Sequence, residues 1–251
     1  MHSLDIFSVL WVFALAAVFF AAFVRGVTGF GFSLILAPIL LLFVDPTSVV
    51  VTNLLLALIA NIVVIVFSLK KLNLKKLMPV LISSIIGIPF GAWILTAASP
   101  SVMKILIGGV TTFFAIVLAL GINRPFKQEK LAGGVVGLVG GLLSSSTSLS
   151  GPPAVLYMHN QNWPKELIHS SLATYFLFTC FWSLVALYVA GRLDTQILVS
   201  AVSLTPALLV GIFLGVVVFR RINNRFFRWL SIAVVVGSGI LGILSGLGVL
   251  S

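Results

Sequence analysis

Charge is scarce in this chain, and acidic charge is scarcer still. Only 8% of the 251 residues are charged, and Asp and Glu together number 5. A soluble domain carries about 25% charged residues, so the composition excludes an ordinary water-soluble globule. The acids, Asp5, Asp45, Glu129, Glu166 and Asp194, all fall in loops or at the ends of apolar segments. Cation pumps and proton relays usually place a carboxylate inside the membrane. Its absence argues against a cation substrate and for an anionic or neutral one. Cysteine is reduced to Cys180, which rules out an intrachain disulfide and reads as inert packing in an apolar helix. No Cys/His cluster has metal-ligand spacing and no phosphate loop is present, so neither a metal nor a cofactor is expected. The Ser-rich run has no paired base, which removes the enzyme reading. A basic flank before the first apolar segment is also missing, so a cleaved signal peptide is not expected.

What the chain does have is hydrocarbon. Hydrophobic residues make up 60% of it, and the mean hydropathy is +1.25. In lipid every backbone polar group must be satisfied internally, so the spans are helices. The apolar runs far exceed the ~10-residue alternating strands of a membrane barrel. The formal charge is +10, from 15 Lys and Arg. These cluster in short loops, at Lys70, Lys71, Lys75 and Lys76, at Arg124, Lys127 and Lys130, and at Arg220, Arg221, Arg225 and Arg228. That is the positive-inside pattern of cytoplasmic loops. The bilayer, with its anionic headgroups, is therefore the partner of the basic residues, and nucleic acid is not.

Apolar segments run over about 5–24, 32–44, 48–69, 77–97 and 101–121, then over about 131–143, 152–162, 167–190, 194–219 and 226–249. A full span needs ~20 residues, so 32–44, 131–143 and 152–162 are too short to cross. The halves read as a duplication, with repeats over 1–124 and 125–251. Pro46 with Thr52-Asn53 matches Pro164 with Ser170-Ser171 at the same spacing, the stretch Gly87 to Gly91 lines up with Gly211 to Gly215, and Lys104 falls opposite Arg228. With the basic loops inside, matching points of the halves are separated by an odd number of crossings, which inverts one repeat relative to the other. The expected fold is all-α and polytopic, with two inverted repeats of about five segments. Each begins with a broken segment, read here as a re-entrant hairpin rather than two tilted spans.

The breaks carry the candidate chemistry. The first reads Arg25-Gly26-Val27-Thr28-Gly29-Phe30-Gly31, with Ser33 and Pro38 beyond. The second reads Gly140-Gly141, then Ser144, Ser145, Ser146, Thr147, Ser148, Ser150, Gly151, Pro152 and Pro153. Paired, interrupted segments in two halves point to a transport site at the midplane. Glycines let a solute approach the backbone. A helix starting after a break aims free N–H groups and a partial positive charge at it, which suits an anion. The hydroxyls add donors, and Arg25 offers a fork for an oxyanion. For the glycines the competing reading is close helix packing, and for Arg25 it is snorkelling to an interface. Asn53, Asn61, Asn160, Gln161, Ser170, Ser171 and Thr174 are read as pathway lining, with helix–helix bonding or capping as the alternative. His159 and His169 are the candidates for a proton carrier, but both fall near the cytoplasmic side, where a solvated histidine is the favoured reading.

Gly26-x-x-Gly29-x-Gly31 with Pro38, and Ser150-Gly151-Pro152-Pro153-x-x-Leu156-Tyr157 followed by Trp163-Pro164-Lys165-Glu166, resemble the TauE/SafE family of sulfite-exporter-like permeases over roughly 10–250. The resemblance implies a multi-pass bacterial inner-membrane permease for small sulfur-containing anions such as sulfite, sulfonates, sulfoacetate or thiosulfate. Proton coupling is commonly supposed for the family. The chain departs from it in carrying Ser145, Ser146, Thr147 and Ser148, where glycines are frequent, and His169, where an arginine is frequent. The sequence reading is thus a secondary anion transporter working by alternating access. A passive anion channel, a carrier of another small organic anion and a membrane scaffold are its competitors. Homo-oligomerisation is compatible with all of them.

Overall fold

The computed structural model describes residues 9–68, 72–120, 128–161, 163 and 165–219. Within them the chain forms α1 (Val9–Thr28), α2 (Phe32–Leu40), α3 (Pro46–Ser68), α4 (Leu74–Ala97), α5 (Pro100–Leu120), α6 (Glu129–Thr147), α7 (Gly151–Asn160), α8 (Lys165–Val189) and α9 (Thr195–Phe219). No strand occurs among the described residues. The expected segment 226–249 and most of the loop before α6 lie outside them. Among the described residues, five helices are long and apolar enough to cross a membrane, over 10–27, 46–63, 74–97, 170–189 and 195–218. The chain is a polytopic all-α membrane protein, as its composition requires.

Helix ends follow local chemistry. Asp45 Oδ1 accepts the Ser48 N–H at 3.0 Å ahead of α3, and Asp194 Oδ1 accepts the Gln196 N–H at 3.3 Å ahead of α9. Two of the scarce acids are thus accounted for as caps for orphan N–H groups. Asn73 caps α4 in the same way, accepting the Lys76 N–H at 3.4 Å.

The segment expected over 131–143 is longer than the sequence suggested. Helix α6 has 19 residues and runs through Ser144, Ser145, Ser146 and Thr147. A run of small hydroxyl residues continues a helix when each hydroxyl returns to a carbonyl of the preceding turn. Ser146 Oγ and Thr147 Oγ1 do so, donating to the Leu142 and Leu143 carbonyls at 2.7 and 2.9 Å. The break comes only at Ser148, which adopts the left-handed conformation at φ 60°, and the Leu149 N–H folds back to the Leu143 carbonyl at 3.3 Å. At the first break Gly29 (φ 78°) and Gly31 (φ 89°) make the turn, in a region where an L side chain costs about 1–2 kcal/mol.

Glycine sets how the long helices meet. Helix α4 lies on α6, and α1 lies on α9. In the first pair Gly87 and Gly91 face the Leu138 and Leu142 carbonyls, while Gly137 and Gly141 face those of Val80 and Ser84. In the second, Gly211 and Gly215 face the Phe19 and Phe23 carbonyls, and Gly26 faces that of Ile212. A Cβ at any of these glycines would lie less than 3.0 Å from backbone. Small residues let helices approach closely in lipid, where dispersion and interhelical bonding replace the hydrophobic drive. The crossings are alike in detail. The Ile88 carbonyl accepts from Ser145 Oγ at 2.6 Å, in the place where the Ile212 carbonyl meets Gly26. Helices α3 and α8 pack on each other between these pairs, and the short helices α2 and α7 pack on α3 and α8 respectively.

Candidate functional site

The two breaks meet. A small, partly open hollow is lined by Arg25 from α1, Gly31 and Ser33 from the first break, and Ser148, Ser150, Gly151 and Pro152 from the second. Asn61 and Ala57 of α3, Phe176 and Cys180 of α8, and Phe30, Phe32, Leu34 and Leu149 complete its wall.

Among the described residues Arg25 is the only charged one in that wall, and it is 6% exposed. One Nη donates to Asn61 Oδ1, the guanidinium lies 5.7 Å from the Phe176 ring centroid, and Nε has no partner. No ion pair forms to it among the described residues. Removing a guanidinium from water costs several kcal/mol after relaxation. A neutral amide oxygen and an aromatic face, worth about 0.5–2 kcal/mol, offset only part of that. The side chain is therefore buried in the protein, not snorkelling, and its electrostatics are incomplete without negative charge beside it.

The helix starts differ between the breaks. Helix α2 begins after Gly31, which offers no side-chain cap to the first-turn N–H groups of Phe32, Ser33 and Leu34. Helix α7 begins Gly151-Pro152-Pro153, also without a side-chain cap. Proline has no N–H, so two of its four first-turn donors do not exist. The second break therefore has few backbone donors, and its Ser148 hydroxyl is already donated to the Thr147 carbonyl at 2.6 Å. The Asn53 Nδ2 donates to Ser148 Oγ at 3.1 Å, which ties α3 to that turn.

The remaining sequence candidates lie elsewhere. Gly26 is in the α1–α9 crossing and Gly29 in the turn before the hollow. Ser144 accepts from Ser183 Oγ at 3.0 Å, and Ser145, Ser146 and Thr147 bond to helix carbonyls. Ser170 Oγ donates to the Leu167 carbonyl at 3.1 Å. Ser171 is fully buried, and its Oγ has no partner. The side chain of Thr28 lies outside the described ones. Asn61, named in the sequence only among the polar positions, holds the guanidinium. Phe176 and Cys180 were not legible as site residues, because an aromatic or a thiol in an apolar helix looks the same whether it faces a neighbour or a hollow.

From the hollow α7 leads to a second cluster. Tyr157 Oη donates to the Glu129 carbonyl at 3.1 Å, and Trp163 Nε1 donates to Glu129 Oε1 at 3.0 Å. Lys76 Nζ lies 5.5 Å from the Trp163 ring centroid. This motif thus clamps the far end of α7 to the starts of α6 and α4. The side chains of Lys165, Glu166 and His169, and the whole of Pro164, lie outside the described residues.

A family model described as sulfite exporter TauE/SafE matches residues 14–242. A protein of Cupriavidus necator, described as a probable sulfite/organosulfonate exporter TauE, is 28% identical over 125 residues, covering 48% of this chain and 48% of that protein. The chain thus spans about half the length of the curated relative it matches. No solved structure matches the chain.

Proposed function

Because the chain belongs to the sulfite exporter TauE/SafE family, we propose that it is a secondary transporter moving small sulfur-containing anions, such as sulfite or organosulfonates, across the cell inner membrane. The observation that carries this reading is the unpartnered Nε of a buried Arg25 in a hollow between two broken segments. An oxyanion there would take a guanidinium N–H, the N–H groups at the start of α2, and the hydroxyls of Ser33 and Ser150. The transmembrane repeats are 1–124 and 125–251, inverted with respect to each other. The alike crossings of α4 on α6 and α1 on α9 support that reading, as does the distribution of basic loops. Alternating access is a rocking of one repeat, carrying its break, against the other.

Purified protein in detergent tests the site. Sulfite and simple alkanesulfonates should raise the unfolding temperature in a saturable way, since a ligand bound only to the folded state stabilises it by mass action. Arg25→Ala should abolish that rise. A rise that survives Arg25→Ala places the anion elsewhere. In liposomes a carrier shows trans-stimulated exchange of the bound anion. Flux without trans-stimulation would make the protein a channel.

A further inference from the structure

Cys180 is the chain's single cysteine, and its position is not that of ordinary packing. It lines the same hollow as Arg25, and Asn61 stands between them, its Oδ1 accepting from the guanidinium and its Nδ2 directed at the Cys180 sulfur from 4.0 Å. The residue is 4% exposed, and among the described residues the one charged side chain in the wall it shares is a cation with an unpartnered Nε.

We propose that Cys180 is a covalent modification site for anionic sulfur compounds carrying a labile S–S bond, the thiosulfonates being the simplest class, and that such a compound reaches the thiol only by first entering the anion hollow. The inference rests on the anion reading of Arg25 and extends it from reversible occupancy to capture. The step balances. Cys180 gives its proton to solvent, and the thiolate attacks the sulfenyl sulfur of R–S–SO₂R′. A new S–S bond joins Cys180 to R–S, the old S–S bond breaks, and R′SO₂⁻ leaves with the electron pair. No oxidant is needed beyond the thiosulfonate. The product fills the hollow with a tethered group, and R, which bears the anionic group of the compound, sets that negative charge against Arg25, so the modified protein is blocked to other anions until a reductant releases it.

The test uses the intact protein in detergent with two methanethiosulfonates of similar size, one bearing a sulfonate (sulfonatoethyl) and one a quaternary ammonium (trimethylammonioethyl). Labelling is read by intact mass. A cleft of one sign of charge raises the encounter rate of opposite charge by about 10–10³-fold. The sulfonate reagent should therefore label at least about tenfold faster than the ammonium reagent, by the low end of that range. Excess ethanesulfonate should slow it, Cys180→Ser should remove all labelling, and Arg25→Gln should bring the two rates together. Equal rates in the unmodified protein, a rate untouched by ethanesulfonate, or labelling only after denaturation would each overturn the proposal. The two-reagent comparison needs no folded Arg25 variant. If ethanesulfonate still raises the unfolding temperature while Cys180 stays unlabelled, the capture site fails and the anion site stands. If ethanesulfonate neither shifts unfolding nor slows labelling, both fail.

Discussion

Arg25 is held by one amide. Its position after an apolar run fits a membrane-edge residue as well as a buried one, and the fold decides through Asn61, which sits on a different helix and accepts from it. Removing that acceptor while keeping the charge leaves a buried donor unpaired, at about 1–3 kcal/mol or more for a charged group. Asn61→Leu should therefore lower the unfolding temperature of the anion-free protein, and saturating sulfite should recover a larger part of the loss than it adds to the unmodified protein. Arg25→Lys tests geometry rather than charge. A lysine keeps the cation but not the planar fork, so the anion dissociation constant measured by titration should rise about tenfold or more, as expected for losing a charged hydrogen bond of about 1.5–3 kcal/mol. Unchanged affinity would make the site a diffuse positive potential.

The helix crossings depend on which glycines face a neighbour, and the face is visible only in the packed structure. Gly134 and Gly137 lie one turn apart on α6, yet a Cβ at Gly134 would meet nothing within 4 Å, whereas one at Gly137 would press on the Val80 carbonyl. Gly134→Ala should be neutral or slightly stabilising, since Ala is favoured over Gly in a helix by about 1 kcal/mol. Gly137→Ala should destabilise, because overpacking a tight contact costs about 1–3 kcal/mol. Comparable unfolding temperatures for the two would mean that α4 and α6 are not in this contact. The same reasoning makes Gly91→Val and Gly215→Val equivalent lesions at the two crossings. At the breaks the logic is conformational. Gly31→Ala places a side chain at φ 89° and should cost about 1–2 kcal/mol.

Orientation is a property of the whole molecule. The starts of α4 and α6 carry Lys75, Lys76 and Lys130, whereas Ser99 and Arg192 lie at the opposite ends of neighbouring helices. Arg192 donates to the Thr96 carbonyl at 3.2 Å, bridging α4 to the turn between α8 and α9. In a Cys180→Ser background, a cysteine at Lys75 should react with a membrane-impermeant maleimide only from the cytoplasm. One at Ser99 should react only from outside. Labelling of both from one side would break the inverted-repeat topology and the alternating-access scheme built on it.

By itself the sequence determined the solvent, the class and the first break. Scarce charge and long apolar runs admit only helices in lipid, and glycine with proline interrupts a helix whatever surrounds it. It also pointed to the glycine registers shared by the two halves and to Arg25 and the serines as the polar candidates. The tertiary structure alone decided which of these share one space. Ser145, Ser146 and Thr147 are spent on helix carbonyls, because α6 continues past the point where a hydroxyl run looks like a loop. Ser148, Ser150, Gly31 and Ser33 converge with Arg25, Asn61, Phe176 and Cys180. A residue's type and spacing limit what it can bond to, but the partner it finds comes from helices more than thirty positions away along the chain, and only their packing brings that partner within reach.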